Sequence, residues 1–294
     1  MEKHAKRSKR SSKALKKEAR RALEDQIAKR TKGLEAQVAY FKDLSHLKDE
    51  FIRITNHELR TPLDVIRGNV DMVLKGEAGQ ISEKTKEYLG DALAGADRLT
   101  KLVDAILDIS RIETGRMKFT LEDIDLTSLV KTLENEFKPL AQKRQLALLL
   151  EIPSKPLFVF SDRGKLFQIL DNLLGNALKF TPEGGSITIN VRGEEETVFV
   201  SIKDTGIGMK LEDQSKIFKQ FPQIEGSTIQ ASKGAGLGLY LAWQLVEKLG
   251  GQIWGQSQGL GKGTTFSFRL PRSNTDRAKA LARYHSIFLA SEGT

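Results

Sequence analysis

The nine residues from 172 to 180, Asn-Leu-Leu-Gly-Asn-Ala-Leu-Lys-Phe, carry polar side chains at helical spacing. Intervals of four and three residues separate Asn172, Asn176 and Lys179, so a helix places all three on one face. The leucines and the alanine between them would be buried on the opposite face. Amide oxygens suit Mg2+ and an ammonium group suits phosphate, so this face is a candidate site for a metal-bound polyphosphate. Taken alone, such a face is more often a solvated helix surface.

A glycine motif further along the chain favours the functional interpretation. Asp204-Thr-Gly206-Ile-Gly208 comes directly after a predicted strand. A carboxylate at a strand end can accept a hydrogen bond from the exocyclic amine of adenine, and glycines allow the backbone to approach the base. The alternative for this motif on its own is a simple turn.

A second glycine motif opens a predicted helix. In the run from 234 to 239, Gly234, Gly236 and Gly238 alternate with Ala, Leu237 and Leu. Bare backbone amides at a helix N-terminus suit polyphosphate. No predicted strand precedes this motif, which argues against a Rossmann dinucleotide site. A third motif, Gly-Lys-Gly-Thr at 261–264, ends in Thr264 and is indistinguishable from a hairpin turn by sequence.

The segment from 51 to 63 contains His57, followed by Glu58, Thr61 and Pro62. With this segment the chain resembles the sensor histidine kinases of two-component signalling. It has the family's phospho-acceptor box, its asparagine box and its three glycine-containing nucleotide boxes in the expected order, between about residues 45 and 272. Glu58 adjoins the imidazole and can accept its proton or fix its tautomer.

The resemblance implies an ATP-dependent protein histidine kinase. His57 would take the γ-phosphoryl group of ATP and pass it to an aspartate of a separate response regulator, and Thr61 would support dephosphorylation of that regulator. Asn176 and Asn172 would hold Mg2+ and Lys179 would neutralise phosphate charge. Asp204 would contact adenine. The other residues implied to bind ATP are Phe180, Gly206, Gly208, Gly234, Gly236, Leu237, Gly238 and Thr264.

Two positions depart from the family pattern. Asn56 replaces the serine that is common before the acceptor histidine, and Gln220 stands where many relatives carry a basic residue. Gln220 supplies no positive charge for contact with phosphate, so Lys179, Lys219 or Lys233 would have to supply it.

The sequence leaves two rival functions open. One is an ATP-hydrolysing relative on the same nucleotide fold, such as a gyrase or a heat-shock chaperone. Those enzymes place a glutamate four residues before the Mg2+-binding asparagine, and here that position is Asn172, which cannot take a proton. The other is a catalytically degenerate dimeric scaffold. The presence of His57, Asn176, Asp204 and the glycine motifs argues against it.

The apolar patterns predict an α+β chain. A helical region rich in heptad-like positions precedes His57 and indicates a coiled coil. Two helices joined by a turn at 76–79 follow, with a kink near Pro62, and a homodimeric four-helix bundle would bury their apolar stripes. The alternating strands and helices that follow predict an α+β domain, and the resemblance implies that this domain is a two-layer α/β sandwich of the gyrase and histidine kinase type. Strands are predicted at 118–121, 146–152, 158–160, 186–192, 197–203, 251–257 and 264–270, and helices at 83–113, 126–142, 164–180, 237–249 and 278–290.

These patterns divide the chain into four parts, with bounds at 1–44, 45–115, 116–272 and 273–294. With the resemblance, they are expected to be a basic arm and coiled-coil linker, a dimerisation and phospho-acceptor domain, an ATP-binding catalytic domain and a C-terminal tail. No function is evident for the tail.

Composition limits the class of protein. An apolar fraction of 39% with 29% charged residues is ordinary for a globular protein, and the absence of cysteine excludes disulfides. The net charge of +9 lies within residues 1–32, where 13 Lys and Arg oppose four acidic residues. No aromatic residue interleaves them, so no nucleic-acid partner is expected. No apolar run has the length of a membrane span. The expected location is the cytoplasm, with membrane attachment conceivable through a missing upstream segment.

Overall fold

The computed structural model describes residues 30–34, 37–38, 40, 44, 47–48, 50, 52, 54–56, 58–218 and 236–291, with side chains up to residue 285. The chain divides into two units, Met1–Glu58 and Leu59–Thr294. In the first unit, every described residue is helical. This agrees with the predicted helix before the acceptor box, whereas the coiled-coil pairing and the four domain bounds stay predictions.

The second unit begins with a helical hairpin. Helix α1 spans residues 59–74 and continues through Pro62, and helix α2 spans Glu83–Glu113, as predicted. Between them, Gly76 and Gly79 have φ values of +88° and +97°, a backbone conformation that favours glycine. Ser82 begins α2 by accepting a hydrogen bond of 3.1 Å from the Thr85 amide. The predicted kink near Pro62 stays a prediction.

Several large apolar side chains of the hairpin are exposed in the single chain. Their exposed fractions lie between 38% and 62%. These residues are Leu59, Val65, Ile66, Met72, Tyr88, Leu99 and Ile106. Exposed apolar surface of this extent on two neighbouring helices favours a partner surface. It is what the predicted homodimeric bundle requires.

The rest of the second unit contains the strands β1 (Glu122–Asp125), β2 (Ala147–Glu151), β3 (Phe158–Ser161), β4 (Ser186–Gly193), β5 (Thr197–Asp204), β6 (Gln252–Gln256) and β7 (Thr265–Pro271). Five of them form one sheet in the order β2-β4-β5-β7-β6. Strands β2 and β4 are parallel, and the other neighbours are antiparallel. A separate two-stranded sheet pairs β1 with β3.

Three helices pack against this sheet: α3 (Leu126–Lys143), α4 (Arg163–Phe180) and α5 (Leu237–Lys248). Ile187, Ile189 and Val191 alternate along β4, and all three are buried in the same core as these helices. The predicted α+β class, with a helical hairpin and a two-layer α/β sandwich, is confirmed. Within the described ranges, no helix combines the length and hydropathy that a membrane span needs.

One predicted strand is wrong. Residues 118–121 lie outside both sheets, and β1 begins only at Glu122. The reason is a competing hydrogen bond, because the Thr120 amide donates to Oδ2 of Asp162 at 2.7 Å instead of to a neighbouring strand. We call residues 114–121, which join α2 to β1, the connector.

The C-terminal tail contains a helix, α6 (Asp276–Ser291), at the place where residues 278–290 were predicted to be helical. Ala278 and Leu281 of this helix are buried. The tail is therefore packed against the rest of the second unit at least as far as Leu281.

Candidate functional site

Helix α4 presents the predicted polar face. Asp162 starts the helix by accepting a hydrogen bond of 3.0 Å from the Lys165 amide. Four apolar residues of the opposite face are 0–8% exposed, namely Leu173, Leu174, Ala177 and Leu178. Asn172, Asn176 and Lys179 are only partly buried. The prediction that this segment is a helix with one polar and one buried apolar face is thus confirmed. The three polar side chains remain accessible to a ligand.

Asn172 lies against the first turn of α5. Its Nδ2 donates a hydrogen bond of 2.8 Å to the Gln168 carbonyl of its own helix. Its Oδ1 faces Gly238, where an added Cβ would lie only 2.6 Å from that oxygen. Gly236 precedes α5 with a φ of +69°, and Leu237 is buried beneath the turn. The glycine at 238 therefore lets the start of α5 and the amide of Asn172 approach each other.

Asp204 ends strand β5 and is 4% exposed. Its Oδ1 accepts hydrogen bonds from the backbone amides of Gly206 at 2.8 Å and Thr264 at 3.1 Å. No described residue hydrogen-bonds Oδ2. Burial raises the pKa of the Asp204 carboxyl, and the two amide bonds oppose that rise. A donor on a ligand would stabilise the charged form further.

The loops around Asp204 approach one another so closely that residues 206 and 263 have no space for a side chain. An added Cβ at Gly206 would collide with the Phe180 carbonyl, and one at Gly263 would collide with the Asp204 carbonyl. The Phe180 carbonyl also accepts a hydrogen bond of 3.1 Å from the Ile207 amide. The end of α4 is thereby joined to the end of β5.

The loop that holds Gly208 is also closely packed. Gly208 has a φ of +65°, and an added Cβ there would collide with the Gly259 carbonyl. Ser257 Oγ accepts a hydrogen bond of 3.1 Å from the Met209 amide and donates one of 2.7 Å to the Gly263 carbonyl. Sequence reasoning missed Ser257, since a serine at the end of a predicted strand has no distinguishing pattern.

Lys179 lies beside Phe180 at the C-terminal end of α4. Its Nζ is 4.7 Å from the centroid of the Phe180 ring. Burial lowers the pKa of Lys179. Eight residues separate Asn172 from Phe180, which corresponds to about 12 Å along the helix. The site is therefore elongated, with Asn172 and the start of α5 at one end and Asp204 at the other.

Four predicted site residues remain: His57, Glu58, Thr61 and Gly234. His57 and Gly234 lie outside the described residues, as do Lys219, Gln220 and Lys233. Glu58 is helical and exposed in the first unit, and Thr61 is helical and exposed in the second.

A polar cluster that the sequence did not reveal joins α4 to α2. Oδ2 of Asp108 accepts hydrogen bonds from Lys165 Nζ at 3.1 Å and from Gln168 Nε2 at 2.8 Å. Ala105, Ile109 and Ile112 of α2 share the core of the sheet and its helices. The C-terminal half of α2 therefore packs directly on the helix that carries the polar face.

Two families match separate parts of the chain. Residues 47–115 match the His Kinase A (phospho-acceptor) domain. Residues 161–274 match the histidine kinase-, DNA gyrase B-, and HSP90-like ATPase family. Together the two regions cover more than half of the sequence and contain all the motifs described above.

Individual relatives agree with these matches. The sensor histidine kinase WalK of Bacillus subtilis is 34% identical over 224 residues, covering 76% of this chain and 36% of WalK. The signal transduction histidine-protein kinase BaeS of Escherichia coli is 30% identical over 248 residues, covering 84% of this chain and 52% of BaeS. The chain thus spans about a third to a half of these relatives.

A solved structure with a similar fold is that of full-length ShkA in complex with AMPPNP. It has a TM-score of 0.63 and 27% sequence identity, and the similarity covers 77% of this chain and 46% of that one. The order of the hairpin and the sheet, the glycine-lined site along α4 and both family matches point to one conclusion. The chain belongs to the sensor histidine kinase family of two-component signalling.

Proposed function

We propose that this chain is an ATP-dependent protein histidine kinase that phosphorylates its own His57 and passes the phosphoryl group to an aspartate of a separate response regulator. The observation that carries the proposal is the buried Asp204 carboxylate. Two backbone amides orient its Oδ1, while no described residue hydrogen-bonds Oδ2. Such a carboxylate, at the end of a glycine-lined site, suits the exocyclic amine of adenine.

ATP would lie along α4. With adenine at Asp204, the phosphates would extend toward Asn172 and the amides at the start of α5, about 12 Å away along the helix. Gly206, Gly208, Gly236, Gly238 and Thr264 would line this path, with Leu237 and Phe180 supporting it and Gly234 contributing from outside the described ranges. The ShkA complex with AMPPNP supports an ATP-type ligand for this fold.

The side chains near the phosphate end fit Mg2+. Nδ2 of Asn172 is already used by the Gln168 carbonyl, so Oδ1 is the atom left to accept or coordinate. Asn176 offers a second amide oxygen one turn further along the same partly buried face. When bound, Mg2+ would neutralise negative charge on the phosphates. Lys179 would add a positive charge at the same face.

Catalysis of phosphoryl transfer depends mainly on the positioning of the reacting groups and on electrostatic stabilisation of the transferred phosphoryl group. The neutral imidazole nitrogen of His57 would form a bond to the γ-phosphorus while the bond from that phosphorus to ADP breaks. Glu58 would accept the proton that leaves the imidazole. A carboxylate oxygen of the regulator's aspartate would then take the phosphoryl group and regenerate the histidine. Thr61 would orient a water for removal of the phosphate from the regulator.

The exposed apolar surface of the hairpin supports dimerisation. Val65, Ile66, Tyr88 and Leu99 are exposed in the single chain, and a second copy would cover them in a four-helix bundle. The partners would therefore be a second copy of this chain and a receiver protein.

One experiment separates this function from its two rivals. The protein is incubated with ATP labelled at the γ-phosphate, and acid-labile, base-stable label on the chain is measured together with free phosphate. We expect label on wild type and on the control His46→Gln, and none on His57→Gln, whose affinity for an ATP analogue should be unchanged. Release of phosphate without labelled protein would indicate an ATPase. Absence of both would indicate a scaffold.

A further inference from the structure

Helix α6 lies beyond the region that matches the ATPase family, which ends at residue 274. Its start is well defined, because Thr275 Oγ1 accepts a hydrogen bond of 3.2 Å from the Ala278 amide. The helix therefore begins just outside the matched region, and its contacts indicate what it does.

The first contact is with the C-terminal end of α5. Leu281 is buried against Gly250, where an added Cβ would lie 3.3 Å from the leucine side chain. His285 Nε2 lies 3.0 Å from the Lys248 carbonyl, so the ring N–H donates to one of the last carbonyls of α5. These carbonyls have no partner within the helix, and His285 satisfies one of them.

The second contact is with the connector. The ring of His285 lies 5.0 Å from the ring of Phe119, centroid to centroid. A small cavity of about 20 Å³ is lined by Ile112 of α2, Phe119 of the connector, Lys248 of α5 and Tyr284 of α6. The ends of α2 and α5 therefore meet the connector and α6 at one point.

The connector is also hydrogen-bonded to the start of α4. The Thr120 amide donates its hydrogen bond to Asp162, the residue that begins α4. Phe119 and Thr120 are thus attached to α6 and α4 respectively, on consecutive residues. Since α4 carries the polar face of the nucleotide site, movement of α2 relative to that site requires these attachments to change.

We propose that α6 is a C-terminal clamp that holds the connector against the ATP-binding domain and restrains the movement of that domain about α2. The proposal rests on the proposed function in one respect. In a histidine kinase cycle, the ATP-binding domain has to approach the acceptor histidine and later leave it to the receiver, so the connector has to bend. A clamp on the connector opposes this bending and slows the cycle.

The test uses two variants that weaken the clamp, His285→Ala and Phe119→Ala, in the full chain. Lys279→Ala is the matched control, because the ion pair of Lys279 among the described residues is with exposed Asp276 of the same helix. Limited trypsin cleavage after Arg116 and Lys118, both exposed in the connector, is followed by mass spectrometry. The affinity for a non-hydrolysable ATP analogue and the rate of autophosphorylation are measured in parallel.

We expect both clamp variants to be cleaved faster in the connector and to autophosphorylate about two- to tenfold faster. This factor corresponds to loss of one ordinary hydrogen bond or of one aromatic pair. Cleavage elsewhere and analogue affinity should match those of wild type and Lys279→Ala. Unchanged connector cleavage would overturn the clamp, and so would slower autophosphorylation. Loss of analogue affinity would also overturn it, because α6 would then be part of the ATP-binding fold. If wild type is never labelled, the proposed kinase function fails, while the cleavage rates still decide whether α6 holds the connector.

Discussion

The backbone amide of Thr264 donates a hydrogen bond of 3.1 Å to Oδ1 of Asp204, although 60 residues separate the two in sequence. This bond joins the segment before β7 to the end of β5 and fixes the orientation of a buried carboxylate. Because the Gly206 amide binds the same oxygen at 2.8 Å, Oδ2 is left for a ligand. The relationship leads to the first prediction.

Asp204→Asn should lower the affinity for an ATP analogue by about tenfold or more, the loss expected for a hydrogen bond to a charged group. The asparagine Oδ1 can still accept both amide bonds, so the fold is retained. Its Nδ2, however, would place a donor opposite the adenine amine. Fluorescence titration with the analogue measures the effect, and Asp123→Asn, an exposed aspartate of β1, is the control. Equal affinities for both variants would remove Asp204 from the site.

The raised pKa of Asp204 also predicts a pH dependence of stability. A carboxyl whose folded pKa lies above its unfolded pKa makes the folded state less stable once it ionises. Asp204→Asn should therefore raise the melting temperature at neutral pH. This advantage should shrink as the pH falls through the folded pKa and disappear below the unfolded pKa. Thermal melts of both proteins from neutral to acidic pH measure the difference. An advantage that grows on acidification would contradict the assignment.

Gly238→Ala should weaken analogue binding by about fivefold or more, the factor that corresponds to roughly 1 kcal/mol. The added Cβ would lie 2.6 Å from Asn172 Oδ1 and would displace the amide from the polar face. Gly175→Ala is the control, since Gly175 lies on α4 with nothing within 4 Å of an added Cβ. That change should leave affinity unaltered and stabilise the helix by about 0.5–1 kcal/mol. Isothermal titration and urea unfolding distinguish the two effects.

Asp108→Ala should lower the free energy of unfolding by about 1.5–3 kcal/mol, because the carboxylate accepts hydrogen bonds from Lys165 and Gln168 in a largely buried position. Lys101→Ala removes the more exposed pair of Lys101 with Asp171 and should change stability by less than about 1 kcal/mol. Urea unfolding followed by tryptophan fluorescence compares them. Similar losses in the two variants would mean that the Asp108 cluster adds nothing to the packing of α2 on α4.

Glu58→Ala should slow autophosphorylation by about 100-fold or more, the lower range for loss of a positioned general base. ATP affinity should stay the same, because the nucleotide residues lie elsewhere in the chain. Glu77→Ala, an exposed glutamate of the hairpin turn, serves as the control. Single-turnover labelling at saturating ATP measures the rate. A rate within twofold of that of Glu77→Ala would exclude a proton-accepting role for Glu58.

Thr61→Ala should leave autophosphorylation intact and slow the removal of phosphate from the phosphorylated regulator. The proposed role of the Thr61 hydroxyl is to orient the water that removes phosphate from the regulator, and autophosphorylation does not use this water. Thr61→Ser keeps a hydroxyl and should keep most of the phosphatase activity. Both activities are measured with the purified regulator. A variant that lost kinase activity and kept phosphatase activity would instead assign Thr61 a structural role beside Pro62.

Much of this chain could be predicted from local patterns. Leu173, Leu174, Ala177 and Leu178 are buried on one side of α4, as their helical spacing requires. Helix α2 begins and ends where its turn signals and apolar stripe predicted. The hairpins β4–β5 and β6–β7 form from strands that are close in sequence. The strand predicted at 118–121 failed because the amide of Thr120 has a partner 42 residues away.

The sequence by itself determined the elements, their order and the residue types of the site, because spacing along a helix or strand decides which side chains share a face. Tertiary structure alone decided which oxygen of Asp204 is available, why residue 238 is glycine, and that α6 reaches the connector through His285 and Phe119. Each of these facts depends on the distance between segments that are far apart in the chain. Such distances are set by how the core packs, and no local pattern records them.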